Sequence, residues 1–393
     1  MTDASQSRAP AVRVKSRVAL SLSFLAGGCG FGAWGASLPS LSRELGLSEG
    51  QLGLVLLCFA LGGIVTMLNV PRLVGRFGGW HFSALTAGLF GAMVAVVGTA
   101  QEMIGLALIA AAAGAASGAL DVRMNSEAAE LESHAGKPIM SSLHAMFSFG
   151  GLAAGAACGQ LLRHGVTVDT CLAVSGAAVV AMAVIGARLA PARLGPREEA
   201  GSRQARERTE GTVRSGGIWL LGLLAFLGLF AEGAILDWAG IYLVRNLGAP
   251  ESLGAFAFAV LAGTMAVGRA AGDFVTHAFG PGRLVRAGAL LVAVSLAAVL
   301  SMNGLPLIFV ALGLTGLGLA NIVPLIFSAA GRLAGDANGS SMSRVMTMGY
   351  AGILVGPPFI GFVAESTSLV VSLCVVAAAA VVIAALGRPA MAR

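Results

Sequence analysis

Charged residues are scarce in this chain. Lys, Arg, Asp and Glu make up only 11% of its 393 residues, against roughly a quarter in a typical soluble domain. The mean hydropathy of +0.85 extends along the whole length. So little charge cannot cover a soluble surface, which excludes a soluble enzyme, a nucleic-acid-binding protein and a disordered scaffold.

Paired cysteines and catalytic signatures are also lacking. The five Cys stand singly, with no CxxC pair and no His at ligand spacing, so we expect reduced core residues and no metal site. No GxxxxGK[ST] phosphate loop, HExxH helix or GxSxG elbow occurs. The sequence therefore predicts neither an enzyme nor a bound cofactor.

Long apolar windows fill most of the chain instead. Each approaches or exceeds the ~20 residues that a helix needs to cross a bilayer. The 45-residue window must fold twice, with its turn at Asn303-Gly304-Leu305-Pro306, which brings the total to twelve spans and predicts an all-α, polytopic membrane protein. The windows free of Asp, Glu, Lys and Arg are 18–42, 50–71, 77–101, 103–120, 138–162, 170–187, 215–231, 252–268, 287–331, 345–364 and 366–387.

The basic residues between the spans predict the orientation. If both termini are cytoplasmic, the outer loops hold only Arg43, Arg163 and Arg245 of the 25 Lys and Arg residues. Cytoplasmic loops carry the excess of positive charge in membrane proteins. We therefore expect a bacterial inner-membrane protein with both termini inside, and the net charge of +6 needs no nucleic-acid partner.

The two halves of the sequence echo each other in order. Trp34 precedes Leu45-Gly46 as Trp238 precedes Leu247-Gly248, and Asp121 in span four matches Asn321 in span ten. Several weak matches in one order indicate a duplicated six-span unit. We predict two pseudo-symmetric six-helix bundles, 1–190 and 217–393, joined by a charged cytoplasmic linker, 191–216. Glycines at intervals of four let the helices approach closely.

With these features the chain resembles the major facilitator superfamily over nearly its full length. Within it, two segments resemble the YbjJ-like inner-membrane proteins and, more distantly, the fucose/proton symporters. They are Asp121-Val122-Arg123-Met124-Asn125, followed by His144, and Phe230-Ala231-Glu232-Gly233, which runs on to Asp237-Trp238. The resemblance implies the major facilitator fold and a transporter that opens its cavity to alternate sides.

Asp121 is the first candidate for proton coupling. Asp121 and Asn125 lie on one stripe of span four, whereas Arg123 lies on another and is expected to pair with Glu127 or Glu130. Asp121 is either a solvated carboxylate at the inner end or, if the helix runs on to Glu132, a group in the cavity. The fucose-symporter resemblance favours the cavity, with Asp121 carrying the proton and Asn125 touching substrate.

Three further polar residues extend the predicted site. His144 is about 9 Å inside span five, where it either contacts the Asp121 stripe and a substrate hydroxyl or forms a hydrogen bond between helices. Glu232 has no cation within one turn of its helix and is the second candidate for proton coupling. Asp237, beside Trp238 and close to Arg245 in sequence, resembles an outer-end residue and is a candidate for substrate binding.

The remaining candidates depend on spacing or on resemblance. Arg269 and Asp273 are i, i+4 neighbours, expected to form a structural pair or gate. The superfamily's loop after span two is degenerate here but keeps Arg76, a second gating candidate. Asn321 is expected to complete a polar ring in the cavity, and Trp34 and Tyr350 line it by resemblance, although core packing is the usual fate of such residues.

Energy for transport must come from an ion gradient or from the solute itself, since no ATP motif is present. We expect a monomeric, proton-coupled secondary transporter of a small organic solute, with efflux by proton antiport slightly favoured. The alternative is proton symport that imports a sugar-like or other hydroxylated solute. The symporters carry an acid on span one where Gly35 stands here, which weakens a sugar substrate.

Overall fold

The structure is a computed structural model that describes residues 3–77, 79–135, 139–190, 215–302, 304–333 and 340–391. Residues 191–214 of the predicted linker lie outside these ranges. All regular structure within them is helical, as predicted. The helices are α1 Asp3–Glu44, α2 Glu49–Phe77, α3 Gly79–Val97, α4 Met103–Ala135, α5 Met140–Arg163, α6 Val168–Leu189, α7 Ser215–Leu247, α8 Glu251–Phe279, α9 Pro281–Ser301, α10 Leu305–Leu319, α11 Ile322–Leu333, α12 Ser340–Ser366 and α13 Leu369–Met391.

The helices match the predicted spans. Within the described ranges, eleven stretches are long and apolar enough to cross a membrane, and α10 with α11 forms one of them. The apolar part of α3, Phe82–Val97, is shorter and completes the set. The 45-residue window does fold twice, because α9 ends at Ser301 and α10 begins at Leu305.

Two helices run well past their charge-free windows. The window of span four ends at residue 120, yet α4 continues to Ala135, and α7 continues to Leu247 although its window ends at residue 231. At 1.5 Å per residue each helix is about 50 Å long. The longer form of span four is thus confirmed, and it places Asp121 near the middle of α4.

The tenth span is interrupted between α10 and α11, at Ala320 and Asn321. Pro324 has no backbone N–H, so the carbonyl of Ala320 lacks the partner that a continuous helix would supply. Arg269 on α8 takes that place, and its Nε lies 3.3 Å from the Ala320 oxygen. A side chain from another helix therefore supplies the hydrogen bond that the Ala320 carbonyl lacks at the break.

The chain divides into two compact units, Met1–Leu194 with Leu243–Gly263 and Gly195–Tyr242 with Thr264–Arg393. In the first, α1 packs against α5 and α6, α2 against α4, and α3 against α4 and α6. In the second, α9 packs against α10 and α13, and α12 against α11 and α13. The last residues of α7 and the first half of α8 thus belong to the first unit.

Close helix contacts at glycine are confirmed in both units. A Cβ on Gly28 of α1 would overlap the Phe147 carbonyl on α5, and one on Gly352 of α12 would overlap the Phe226 carbonyl on α7. Any side chain at these positions would push the two helices apart. The contacts bring α5 against α1, and so they position the polar residues described next.

Candidate functional site

A chain of hydrogen bonds joins α4 to α5 in the first unit. The amide nitrogen of Asn125 lies 3.1 Å from Asp121 Oδ1 and 2.8 Å from the Asp121 backbone oxygen. The Asn125 oxygen faces His144 Nε2 at 3.1 Å. Because a carbonyl oxygen only accepts, the imidazole donates to Asn125, and Asn125 donates to the carboxylate. The predicted contact between His144 and the Asp121 stripe is confirmed.

No cation pairs with Asp121 among the residues that the structure describes. Arg123, only two residues further on, points elsewhere and lies 2.8 Å from Glu127 Oε1. Of the two expected partners of Arg123, the structure selects Glu127, which is 1% exposed. Ser83 on α3 donates to the same Glu127 oxygen over 2.6 Å. This buried cluster leaves Asp121 with an uncharged partner.

Aromatic rings cluster on α1 in the same unit. Phe31 lies within 6 Å of the rings of Phe59, Phe90 and Phe147. Trp34 stacks on Phe59 with centroids 5.2 Å apart, and it is buried, at 3% exposure. Stacked and edge-to-face rings bury much apolar area. Trp34 is therefore a packed member of this cluster and does not lie open to a cavity.

Gly35 stands where the fucose symporters carry an acid, and the structure shows why a side chain does not fit there. A Cβ at this position would lie 2.5 Å from the ring of Phe258. Phe258 belongs to the segment of α8 that packs with the first unit. The absence of the acid is thus built into the packing around α1.

In the second unit, Glu232 on α7 is paired with a cation. Arg269 on α8 lies 2.8 Å from Glu232 Oε1, and its Nε reaches the Ala320 carbonyl. The expectation that Arg269 pairs with Asp273 is wrong, because helix packing brings Glu232 closer and leaves Asp273 exposed on α8. Glu232 lacks a cation on its own helix, as predicted, but a neighbouring helix supplies one.

Asn321 lies at the α10–α11 break and binds backbone. Its amide nitrogen donates to the Gly268 carbonyl over 2.8 Å, and its oxygen lies over Gly272, where a Cβ would overlap it. Asn321 and Arg269 together join the broken span to α8. Its expected role in a polar ring around the cavity stays a prediction.

Asp237 on α7 has no hydrogen-bond or ion-pair partner among the described residues. It lies ten residues before the end of α7 at Leu247, or about 15 Å along the helix, and its expected outer-end position stays a prediction. Arg245, which the sequence places near it, instead lies 2.7 Å from Glu49 on α2. Next to it, Trp238 is buried and donates to the Pro357 carbonyl over 3.0 Å.

The other predicted residues lie apart from these clusters. Tyr350 on α12 is 40% exposed. The side chain of Arg76 lies outside the described residues. Within the part of the chain that the structure describes, no three His, Cys, Asp or Glu side chains are grouped so that they could hold a metal ion. The candidate site is therefore Asp121, Asn125 and His144, with Asp237 as a second lone carboxyl group.

Two features of these clusters escaped sequence analysis. Ser83 gave no signal, because a single Ser in an apolar helix is common. The pairing of Arg245 with Glu49 does have a signal in the sequence. Arg43 stands at the place of the repeat that corresponds to Arg245, and Glu251 at the place that corresponds to Glu49.

Comparisons with known proteins agree with the fold. The family model described as Major Facilitator Superfamily matches residues 20–276. An uncharacterised transporter of the same type from Yersinia pestis is 29% identical over 375 residues, which cover 95% of this chain and 96% of that protein.

Two solved structures resemble the whole chain. A bacterial homologue of the human lysosomal transporter Spinster superposes with a TM-score of 0.74 at 18% identity, over 97% of both chains. A variant of the nucleoside transporter NupG superposes with a TM-score of 0.75 at 13% identity, over 96% of this chain and 100% of that one. Because the family model matches well over half of its length, the chain belongs to the major facilitator superfamily of membrane transporters.

Proposed function

We propose that this protein is a proton-coupled secondary transporter that exports a small organic solute in exchange for protons, with alternating access to its cavity. The observation that carries the proposal is Asp121, a carboxylate near the middle of α4 that bonds to the uncharged Asn125 and to no cation within the described ranges. A group of this kind is costly in a membrane and marks a functional site by default. Asp121 is the carrier of the coupled proton.

Asn125 and His144 give Asp121 a route to other groups. The imidazole lies at the end of the hydrogen-bond chain and is exposed. Asn125 donates a hydrogen bond to the charged Asp121 carboxylate, and protonation of Asp121 removes that charge. The affinity for a solute bound at Asn125 and His144 therefore depends on the protonation of Asp121, because Asn125 contacts both. This arrangement couples the two binding events without direct contact between them.

Glu232, in contrast, is held by Arg269. The carboxyl group of Glu232 is thus already engaged by a cation from a neighbouring helix. Asp237 has no such partner, and it replaces Glu232 as the second proton-coupling candidate. We assign a structural role to the Glu232–Arg269 pair: it holds Arg269 where its Nε can bond to the Ala320 carbonyl at the helix break. In this proposal Arg269 stabilises the break and does not act as a gate.

Export of an amphiphilic or cationic solute suits the surroundings of Asp121. Phe147 of the aromatic cluster lies on α5 together with His144, and aromatic faces attract organic cations. A side chain at Gly35 would meet the ring of Phe258. A carboxylate with no paired cation among the described residues favours a positively charged solute over an anionic one.

Proton symport of a hydroxylated solute is the second candidate. Asn125 and His144 bond to each other, and amide and imidazole groups can also bind the hydroxyl groups of a solute. NupG, one of the structures with this fold, is a nucleoside transporter. This candidate predicts that protons enter with the solute instead of against it.

Proteoliposomes distinguish the two directions. A thermal-shift screen of the purified protein against sugars, organic acids, vitamins and lipophilic cations at two pH values selects the test solute. Its outward concentration gradient is then imposed on vesicles that contain a pH-sensitive dye. Antiport acidifies the side from which the solute leaves, symport makes that side more alkaline, and a solute flux with no pH change would contradict proton coupling altogether.

A further inference from the structure

The turns that follow the first helix of each half carry the same charges. Arg43 precedes the α1–α2 turn and Glu49 follows it, while Arg245 precedes the α7–α8 turn and Glu251 follows it. Each residue of the second turn follows its counterpart by the same number of positions. The repeat has therefore placed one arginine and one glutamate at equivalent sites of both helical hairpins.

Both turns also share a backbone conformation. Gly46 has a φ of 58° and Gly248 a φ of 63°, in the left-handed region where glycine is favoured. The second hairpin is thus a structural copy of the first. It also belongs to the same compact unit, because residues 243–263 pack with the N-terminal helices.

The charges pair across the two hairpins, and they do so reciprocally. Arg245 lies 2.7 Å from Glu49 Oε1, and Arg43 forms an ion pair with Glu251 through its Nε. Each turn thus gives its arginine to the other turn and receives one in return. We call Arg43–Glu251 and Arg245–Glu49 the hairpin ion pairs.

Additional hydrogen bonds strengthen the pairs to different degrees. Arg245 is 25% exposed, and it also donates to the Ser42 hydroxyl and to the Leu47 carbonyl. Arg43 is 68% exposed, although Ser40 donates to its partner Glu251 over 2.6 Å. Exposed ion pairs contribute little because water and salt screen them. Arg245–Glu49 is therefore the stronger of the hairpin ion pairs.

The position of these arginines is itself unusual. On the topology that the charge asymmetry predicts, only three basic residues lie on the extracytoplasmic side, and two of them are Arg43 and Arg245. Arg163 is the third, and it forms no ion pair within the described ranges. Two of the three basic residues predicted on that side, Arg43 and Arg245, therefore form the ion pairs that connect the two turns.

We propose that the hairpin ion pairs form a two-part charge lock, which holds the α1–α2 and α7–α8 turns together and must open whenever the cavity opens on that side. The proposal rests on alternating access, as part of the proposed function, but not on proton coupling. Its two halves are related by the repeat, so that removal of either pair loosens both turns.

Hydrogen–deuterium exchange of the full-length protein in lipid nanodiscs tests the lock and needs no solute. Arg245→Ala should speed deuterium uptake in peptides that cover both turns, 44–50 and 246–252, and Arg43→Ala should do so more weakly. Arg163→Ala is the matched control and should change neither turn. Peptides from the α9–α10 turn provide an internal reference that none of the variants should alter.

Charge exchange separates a lock from simple loss of packing. Arg43→Glu should speed uptake in both turns, and the double variant with Glu251→Arg should restore the slow uptake, because Ser40 can donate to a carboxylate or accept from a guanidinium. If Arg245→Ala does not give folded protein, Glu49→Gln removes the same pair from the other side. Unchanged uptake in folded Glu49→Gln and Arg43→Glu would overturn the lock.

The outcome is independent of the proton-coupling proposal. Loss of pH-driven transport in an Asp121 variant with normal exchange at both turns would support coupling and leave the lock intact. Faster exchange in the Arg245 variant with normal proton coupling would support the lock alone. Raised ionic strength should also speed uptake in the unaltered protein, most at the exposed Arg43–Glu251 pair.

Discussion

Replacement of Asp121 by Asn is the most direct test of the proposed mechanism. The change keeps the size of the side chain and the oxygen that accepts from Asn125, so the hydrogen bond to α4's next turn persists. No ion pair is lost, because none of the described cations pairs with Asp121. We expect a folded protein whose stability differs from that of the parent by less than about 1 kcal/mol.

The size of the functional effect follows from the charge that moves. One carboxyl group carries one proton, and a proton that crosses ~100 mV releases ~2.3 kcal/mol. Since ~1.4 kcal/mol corresponds to a tenfold concentration ratio, the parent protein can sustain a solute ratio of about 50. Asn cannot release a proton, so the ratio in the Asp121→Asn variant should fall to about 1.

Two measurements in proteoliposomes check this expectation. The first is the steady-state ratio of the solute chosen by thermal shift, under an imposed proton gradient. The second is exchange of labelled for unlabelled solute without a gradient, which should stay largely intact because it needs no net proton movement. Glu102→Gln, an exposed carboxylate immediately before α4, makes the same chemical change and should leave both measurements unaltered. A gradient-driven ratio that survives in Asp121→Asn would remove Asp121 from the mechanism.

Two further predictions concern stability. Gly28→Leu should abolish folded protein in size-exclusion chromatography, because its side chain would overlap the Phe147 carbonyl, whereas Gly88→Ala should be tolerated, since its nearest neighbour would lie 3.9 Å away. Glu232→Ala should lower the free energy of unfolding by about 1–3 kcal/mol, because Arg269 would be left without its counter-ion; a melting temperature equal to that of the parent would show that the pair braces nothing.

Most of the fold could be predicted because a membrane restricts what a chain can do. Apolar windows of the right length become helices, and the window 287–331 had to turn once because it is too long for one span. The ends of α4 and α7 could not be found in this way. The first charge of α7, Glu232, pairs with Arg269 from a neighbouring helix. The first charge of α4, Asp121, bonds to Asn125 one turn further on.

The candidate site was predictable where its residues share a helix or a depth. Asp121 and Asn125 are one turn apart, and the depth of His144 matched theirs. Ion pairs between helices were not predictable, because they depend on which helices become neighbours. Spacing favoured Asp273 as the partner of Arg269, and packing supplied Glu232 instead.

The break in the tenth span has a mechanical consequence. A single rod such as α4, with 33 residues, carries a displacement from one membrane face to the other. A span made of two short rods bends at its joint, and here the joint is fixed to α8 through the Ala320 carbonyl and Asn321. The half-helix on either side of that anchor can therefore swing while the other stays still. The fourth and tenth spans, which the sequence repeat predicts to be equivalent, would then move in different ways.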